Sequence, residues 1–196
     1  MREKETKLIS MVIAALLCAI GIVIPMFAPK IILEPASFTL ASHVPIFIAL
    51  FISPPVALAV SVGTTLGFFF AGFPIVVVLR ALSHVLFALI GALLLKKNTS
   101  LLSSFAKSAG FGLLLSAIHA VSEITVVTLF YFGNHMPTSY YAHGYFTSVL
   151  LLVGLGTLIH SMIDFGISIF VWKPLSRVIQ IPVNAKEVLK KEVAVK

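Results

Sequence analysis

The sequence predicts an all-α integral membrane protein: a bundle of six transmembrane helices with both termini in the cytoplasm. Composition predicts the class, since 59 % of the 196 residues are hydrophobic and only 11 % are charged. The mean hydropathy of +1.10 leaves too little polar surface for a soluble domain of this size. In addition, apolar runs of about 20 residues, the length that crosses a bilayer, recur along the chain.

Interruptions of the apolar sequence divide it into six predicted spans. The first is expected to be a permanent helix and not a signal peptide, because more apolar sequence follows it where a polar mature protein would begin. The second and third spans are separated by Ser53-Pro54-Pro55, and the third and fourth by Ala71-Gly72-Phe73-Pro74, since Pro and Gly favour helix ends. The predicted spans are about 8–27, 38–52, 54–72, 74–95, 106–132 and 146–172.

The distribution of basic residues predicts the orientation. With six spans both termini share one side of the membrane, and the opposite side carries only Lys30. Positive residues accumulate on the cytoplasmic side, so we expect one membrane domain over residues 1–180 and a basic cytoplasmic tail over residues 181–196. The net charge of +7 then reflects topology and attraction to anionic lipid, and no nucleic-acid partner is expected. The basic residues of the cytoplasmic side are Arg2, Lys4, Lys7, Lys96, Lys97, Lys107, Lys173, Arg177, Lys186, Lys190, Lys191 and Lys196.

Arg80 is the one basic residue in the middle of a long apolar run, inside the predicted fourth span. An unpaired guanidinium at that depth costs about 3 kcal/mol on insertion scales. Ionisable residues that persist inside a membrane are usually functional. Arg80 is therefore expected to hold an anion, a partner carboxylate, or both.

Three pairs of polar residues are spaced by four, which places both members on one face of a helix. They are Arg80/His84, His119/Glu123 and His160/Asp164. A rise of about 1.5 Å per residue predicts an outer layer of groups, with His119 near the midplane. The same estimate places His160 and Asp164 at the midplane and in the inner half, apart from that layer. The predicted outer layer consists of Arg80, His84, Glu123, His43 and Thr39.

Two interpretations of this arrangement stay open. In the first, the groups only satisfy one another, with Arg80 paired to Glu123 and Asp164 to His160 or another donor. In the second, the outer layer lines a wet cavity that opens to the outside and holds a polar solute. Outer-loop residues, Asn134 among them, would then cover the cavity. The predicted substrate-binding residues are Arg80, His84, Glu123, His43, Thr39 and Asn134.

Other chemistries find less support in the sequence. The spacing of His119/Glu123 and of His160/Asp164 is typical of ligand pairs in metal-ion transporters, but Arg80 would oppose the passage of a cation, and no metal site is assigned. Metalloprotease, serine-hydrolase and Walker-type motifs do not occur. We therefore expect neither an enzyme nor a cofactor, and no ATP hydrolysis by this chain. Cys18 is the single cysteine and forms no disulfide framework.

Small residues four apart occur in two predicted spans, as Ala15-x-x-x-Ala19 and Gly63-x-x-x-Gly67. Such spacings let a partner helix approach closely in lipid. They predict either packing within the bundle or, for the first helix, docking of a separate membrane subunit.

The chain resembles the substrate-binding S components of energy-coupling factor (ECF) vitamin transporters. The resemblance rests on its size, the six predicted spans, the cytoplasmic termini, the Ala15-x-x-x-Ala19 pattern and the lack of an energy-coupling motif, and it extends to about residue 180. Residues 35–55, 63–68 and 73–84 look most similar to members that handle small anionic vitamins.

The resemblance implies capture of a vitamin from outside, in a cavity capped by residues 28–37 and lined by helices four to six. It implies partners as well, a transmembrane coupling subunit and two ATPase subunits in a prokaryotic plasma membrane, with Ala15 and Ala19 matching the docking motif. Because Arg80 would grip a carboxylate, pantothenate is the first expected substrate and niacin the second. A stand-alone proton-coupled secondary transporter or a metal-ion transporter remains the alternative.

Overall fold

The computed structural model describes residues 3–33 and 36–185. A long first helix is followed by a short antiparallel β-hairpin, and the rest of the described chain is helical. In chain order the elements are α1 (Glu3–Phe27), β1 (Lys30–Leu33), β2 (Ala36–Thr39), α2 (Val44–Ile52), α3 (Pro54–Phe70), α4 (Ile75–Lys97), a 3-10 turn (Thr99–Leu102), α5 (Phe105–Phe132), α6 (Thr138–Ala142) and α7 (Phe146–Val178), whose first part (Phe146–Leu155) is π-helical.

Four helices of the described chain, namely α1, α4, α5 and α7, are long and apolar enough to cross a membrane. The 17-residue α3 is apolar but shorter. These helices confirm an α-helical membrane protein, and their bounds agree with the predicted first, fourth, fifth and sixth spans to within a few residues, except at the start of α1 and the end of α7. The count of six spans and the side of the termini remain predictions.

The second predicted span, 38–52, is wrong in its first part. Its first two residues belong to β2, which pairs with β1 in the register Lys30↔Thr39 and Ile31↔Phe38. A turn follows in which Ala41 has φ 65°, and α2 then begins only at Val44. Nine residues of helix rise about 14 Å, which is less than half of a hydrocarbon core of about 30 Å. Hydropathy alone did not distinguish the apolar strand and turn from a helix.

Helices α1 and α3 pack through small residues. A Cβ built on Gly63 would lie 2.6 Å from the Sγ of Cys18, and one built on Gly67 would overlap Ile22. The predicted Gly63-x-x-x-Gly67 contact is therefore an internal one. Ala15 and Ala19 are exposed on the other side of α1, so the described chain does not use them for internal packing.

The segment after α7 folds back onto the bundle. The Nε1 of Trp172 donates to the carbonyl oxygen of Ala185 at 2.9 Å. The backbone N–H groups of Asn184 and Ala185 donate to the carbonyls of Ile52 and Phe51, both at 3.0 Å. These bonds satisfy carbonyls at the end of α2, which has no following turn of helix to do so. The packed domain thus reaches at least residue 185, beyond the expected boundary at 180, and residues 186–196 of the expected tail lie outside the described residues.

Helices α5 and α7 meet at Gly112, where a Cβ would lie 2.5 Å from the Cδ1 of the buried Phe165 ring. Gly110, two residues earlier on the same helix, has open space around it. We expect Gly112→Ala to destabilise the protein by about 1–3 kcal/mol through overpacking. The matched Gly110→Ala change should be neutral or slightly stabilising, because Ala favours helix over Gly. Thermal unfolding in detergent would measure both, and equal midpoints for the two variants would contradict this account of the contact.

Candidate functional site

A cavity of about 190 Å³ lies at the end of the bundle where the hairpin packs. It is bounded by the hairpin, by the turn before α2 and by residues of α1, α2, α3, α4, α5 and α7. The exposed residue Lys30 is part of its wall, so the cavity approaches the protein surface beside the hairpin. The lining residues are Pro25, Lys30, Ser37, Phe38, Thr39, Ser42, His43, Ile46, Thr64, Phe68, Phe73, Val77, Arg80, Ala81, His84, Glu123, Thr157 and His160.

Arg80 and Glu123 form an ion pair at the wall of the cavity. The Nη2 of Arg80 donates to the Oε2 of Glu123 at 2.7 Å, and the hydroxyl of Thr157 donates to the same oxygen at 2.8 Å. The Glu123 side chain is 5 % exposed and that of Arg80 is 19 % exposed. The Nε of Arg80 is buried without a hydrogen-bond partner. Glu123 therefore neutralises the guanidinium but leaves part of its donor capacity unused.

His43 lies at the centre of a cluster of four buried imidazoles. Its ring centroid is 4.9 Å from that of His84, 4.5 Å from that of His119 and 5.0 Å from that of His160. The rings of His84 and His119 are themselves 4.7 Å apart. The Nε2 atoms of His84 and His119 both lie 3.5 Å from the Oε1 of Glu123. The cluster is therefore continuous with the Arg80–Glu123 pair.

Asp164 anchors the turn that carries His43. Its Oδ1 accepts from the backbone N–H of Ala41 at 2.8 Å, and its Oδ2 accepts from the backbone N–H of His43 at 2.9 Å. The same Oδ2 lies 3.0 Å from the Nδ1 of His43. The carboxylate is fully buried, so these three donors compensate a charge that would otherwise be costly. They also fix the position at which α2 begins.

The predicted depth separation between the two polar groups is wrong. His160 and Asp164 both contact His43, with Asp164 Oδ2 3.3 Å from His160 Nε2 as well. Depths were counted along a helix that was expected to start at residue 38, but His43 sits in the turn that precedes α2. The hairpin and this turn carry His43 into the bundle and against α7.

Helix α7 presents its polar residues on one buried face. Thr157, His160, Ser161 and Asp164 recur at spacings of three or four and are all buried. Phe38 of the hairpin packs on this face, since its ring is 5.5 Å from that of His160 and a Cβ on Gly156 would overlap it. The π-helical segment just before Gly156 is a feature that often accompanies functional sites.

The structure brings five of the six predicted binding residues to the cavity: Arg80, His84, Glu123, His43 and Thr39. Asn134 does not line it. That residue is exposed after the end of α5 with φ 58°. The expected outer-loop cover is instead organised around the buried Tyr140, which packs with Val127 and Val149. The hairpin takes the position that was expected of this loop, in agreement with the capping segment that the family resemblance implied.

Sequence reasoning missed several residues that the cavity uses. The sequence did set Lys30 apart, because it was the lone basic residue on the expected outer side, but it was not predicted to line the cavity. His160 was recognised but placed too deep. Thr157 and Ser42 carried no signal, since single hydroxyl residues are common in apolar helices and turns.

Membrane-length helices around a small cavity with a half-buried cation are typical of a multi-pass membrane protein that handles a small polar solute. The chain is 39 % identical over 198 residues to the niacin transporter NiaX of Lactococcus lactis subsp. cremoris (strain MG1363), covering 97 % of this chain and 86 % of that protein. No protein-family model and no solved structure matches the chain. The chain belongs to the family of vitamin-binding S components of ECF transporters, of the niacin-transporter type.

This membership confirms the resemblance seen in the sequence. The protein is a substrate-binding subunit for vitamin uptake and not an enzyme. It is a multi-pass protein of the plasma membrane.

Proposed function

We propose that this protein captures niacin from outside the cell and delivers it to an ATP-driven coupling module. Niacin thereby replaces pantothenate, which the sequence had favoured. Two observations support the change: the similarity to a protein named as a niacin transporter and the small size of the cavity. The single observation that carries the proposal is the Arg80 guanidinium in the wall of that cavity.

The cavity volume of about 190 Å³ suits one aromatic ring with one small substituent. An apolar cavity of roughly 150 Å³ in another protein binds benzene, whereas drug-sized ligands occupy about 300–1,000 Å³. Niacin is a pyridine ring with one carboxylate. Pantothenate is a longer, flexible chain whose ordering in a closed cavity costs more entropy.

The charges of the wall suit a carboxylate. Arg80 keeps an unpartnered Nε while Nη2 is held by Glu123, and a guanidinium binds carboxylates through charge-assisted hydrogen bonds. Lys30 adds a second cation where the hairpin borders the cavity. An anion entering from outside would therefore meet Lys30 first and the buried Arg80 afterwards.

The apolar part of the wall suits a planar ring. Phe68 and Phe73 stack with centroids 4.6 Å apart and an interplanar angle of 21°, and both line the cavity. Phe38 lines it from the hairpin. Aromatic side chains pack favourably against the faces and edges of another ring, so this part of the wall would hold the pyridine ring in one orientation.

Orientation and partners follow from the same proposal. In this proposal the termini are cytoplasmic and six segments cross or enter the membrane, so that Lys96 and Lys97, in the last turn of α4, lie on the inner side. The cavity then faces outward beside the hairpin. Ala15 and Ala19, exposed on α1, form the surface on which a transmembrane coupling subunit docks, and that subunit brings two ATPases.

Arg80→Gln should weaken niacin binding by about 10- to 150-fold, the loss expected for a charge-assisted hydrogen bond of about 1.5–3 kcal/mol. Titration calorimetry on the purified protein would measure it. Because the single variant leaves Glu123 unpaired, Arg80→Gln/Glu123→Gln serves as a matched variant without a buried lone charge.

Nicotinamide, which has the same ring and no charge, should bind the unaltered protein at least about tenfold more weakly than niacin. Equal affinities for niacin and nicotinamide would contradict the proposal that Arg80 binds the carboxylate of the ligand.

Ala15→Leu/Ala19→Leu should prevent co-purification of the coupling subunit and ATPases while niacin still binds with unchanged affinity. Larger side chains on this surface would hold the partner helix away. Ala106→Leu, at an exposed position near the start of α5, is the matched control and should retain the complex. Retention of the partners by the double variant would show that they dock elsewhere.

Uptake assays separate this proposal from a stand-alone proton-coupled transporter. In proteoliposomes that hold the whole complex, niacin uptake should require ATP inside the vesicle and persist when an ionophore collapses the proton gradient. The chain alone should show no uptake. Accumulation driven by a proton gradient in vesicles with this chain alone would favour the alternative.

A further inference from the structure

The histidine cluster at the cavity offers more ligand nitrogens than capture of a carboxylate requires. His43, His84 and His119 each offer a ring nitrogen, and the three nitrogen atoms lie within 4.8 Å of one another. All three residues are buried, and His119 is fully so. Arg80 and Lys30 already supply donors for an anion, so the three imidazoles lack a role in the function proposed above.

Groups behind the imidazoles hold two of them in a fixed orientation. The Nδ1 of His43 lies 3.0 Å from the buried Asp164 carboxylate, and the Nδ1 of His119 lies 3.2 Å from the Oγ of Ser161. In metal sites, such outer partners fix the tautomer and aim the other ring nitrogen at the ion. A carboxylate behind a histidine is the most frequent form of this arrangement.

Of the ring nitrogens that remain, the Nε2 of His84 contacts Glu123 Oε1 at 3.5 Å, and that of His119 has no partner. The Nε2 of His119 is buried without a hydrogen-bond partner, although Glu123 Oε1 is 3.5 Å away. Within residues 3–33 and 36–185, no hydrogen bond joins two of the imidazoles, and their contacts are edge-to-face. A buried nitrogen without a partner is destabilising, and a bound ion would supply the missing partner.

The charge of the cluster also favours a cation. With neutral imidazoles, its charged groups are Arg80, Glu123 and Asp164, which sum to one negative charge. A monoanionic vitamin would raise this to two negative charges in a buried site, which is costly. A divalent cation together with the vitamin anion brings the sum of these groups to zero, with the exposed Lys30 at the edge of the cavity left out of the sum.

We propose that His43, His84 and His119 bind a divalent transition-metal ion, with Zn²⁺ as the best fit. Three histidines with an open fourth position form a known zinc arrangement, with Zn–N distances of about 2.0–2.1 Å. Tetrahedral ligands at that distance lie about 3.4 Å apart, so nitrogens now up to 4.8 Å apart need to approach one another by up to about 1.4 Å. Imidazole ligands exclude Mg²⁺ and Ca²⁺ as the preferred ion. Glu123 contacts both groups, with Oε1 3.5 Å from the Nε2 atoms of His84 and His119 and Oε2 bonded to Arg80.

The open position takes the pyridine nitrogen of the vitamin. This second step rests on the proposed niacin function, whereas the metal site itself does not. His43 and His84 line the cavity together with Arg80. A pyridine-3-carboxylate can therefore present its carboxylate to the guanidinium and its ring nitrogen to the metal. Benzoate, which has the carboxylate and lacks the nitrogen, is the matched ligand.

The test of the metal site uses the full-length protein, stripped with a chelator and titrated with Co²⁺ or Zn²⁺ alone. We expect about one ion per chain and the intense visible absorption of tetrahedral Co²⁺, as in other three-histidine sites. His84→Gln and His119→Gln should abolish this signal. Ser161→Ala, a milder change behind His119, should lower metal affinity about 10- to 100-fold, and the exposed His143→Gln should leave it unchanged. The absence of stoichiometric binding to the unaltered protein would overturn the proposal.

The vitamin step is tested with niacin and benzoate on metal-loaded and metal-free protein. Niacin should shift the Co²⁺ spectrum and bind the loaded protein at least about tenfold more tightly than benzoate, with the difference lost in the metal-free protein. A loaded protein that binds niacin without a spectral shift would refute coordination of the ring nitrogen. Niacin binding without any metal binding would refute the metal site and leave the proposed function intact. Metal binding without niacin binding would support the metal site and refute the proposed niacin function.

Discussion

The Glu123 carboxylate is the group on which the arrangement of the site depends. It belongs to α5, and its Oε2 accepts hydrogen bonds from Arg80 of α4 and Thr157 of α7, so one side chain joins three helices inside the membrane. Loss of one partner of such a pair leaves an uncompensated charge, at a cost of about 3–5 kcal/mol. Under the proposed function, pairing with Glu123 and binding of the substrate are therefore compatible roles for Arg80. The same bond that neutralises Arg80 also holds its guanidinium beside the cavity.

Hydropathy predicted the long helices well because their length and composition are local properties. The predicted spans 106–132 and 74–95 lie within a residue or two of α5 and α4. The hairpin could not be predicted in the same way, since strand pairing between Ile31 and Phe38 is a contact between segments. The helix α2 is shorter than the apolar run that contains it for the same reason. Its late start at Val44 depends on hydrogen bonds from Ala41 and His43 to Asp164 of α7, more than a hundred residues away.

The site was predictable where burial of a charge made a residue unusual. Arg80 and Glu123 stood out from apolar sequence, and their pairing follows from the cost of leaving either charge alone. Their relation to His160 and Asp164 was not predictable. It depends on the turn before α2, which places His43 against α7. A depth estimate that counts residues along a helix does not take such a turn into account. Ser161 and Thr157 could not be predicted as site residues, because a hydroxyl in a helix commonly forms a hydrogen bond with its own backbone.

Under the proposed function, the cavity has two chemically distinct ends, and these would make a small cavity specific. Arg80 and Lys30 form a cationic end that suits a carboxylate, while His43 and His84 form a nitrogen-rich end. A ligand that satisfies only one end leaves buried polar groups of the other unpaired, and such losses discriminate far more strongly than a change in apolar size. A planar heteroaromatic acid satisfies both ends at once. Selectivity then follows from groups that the protein must bury in any case to hold α4, α5 and α7 together.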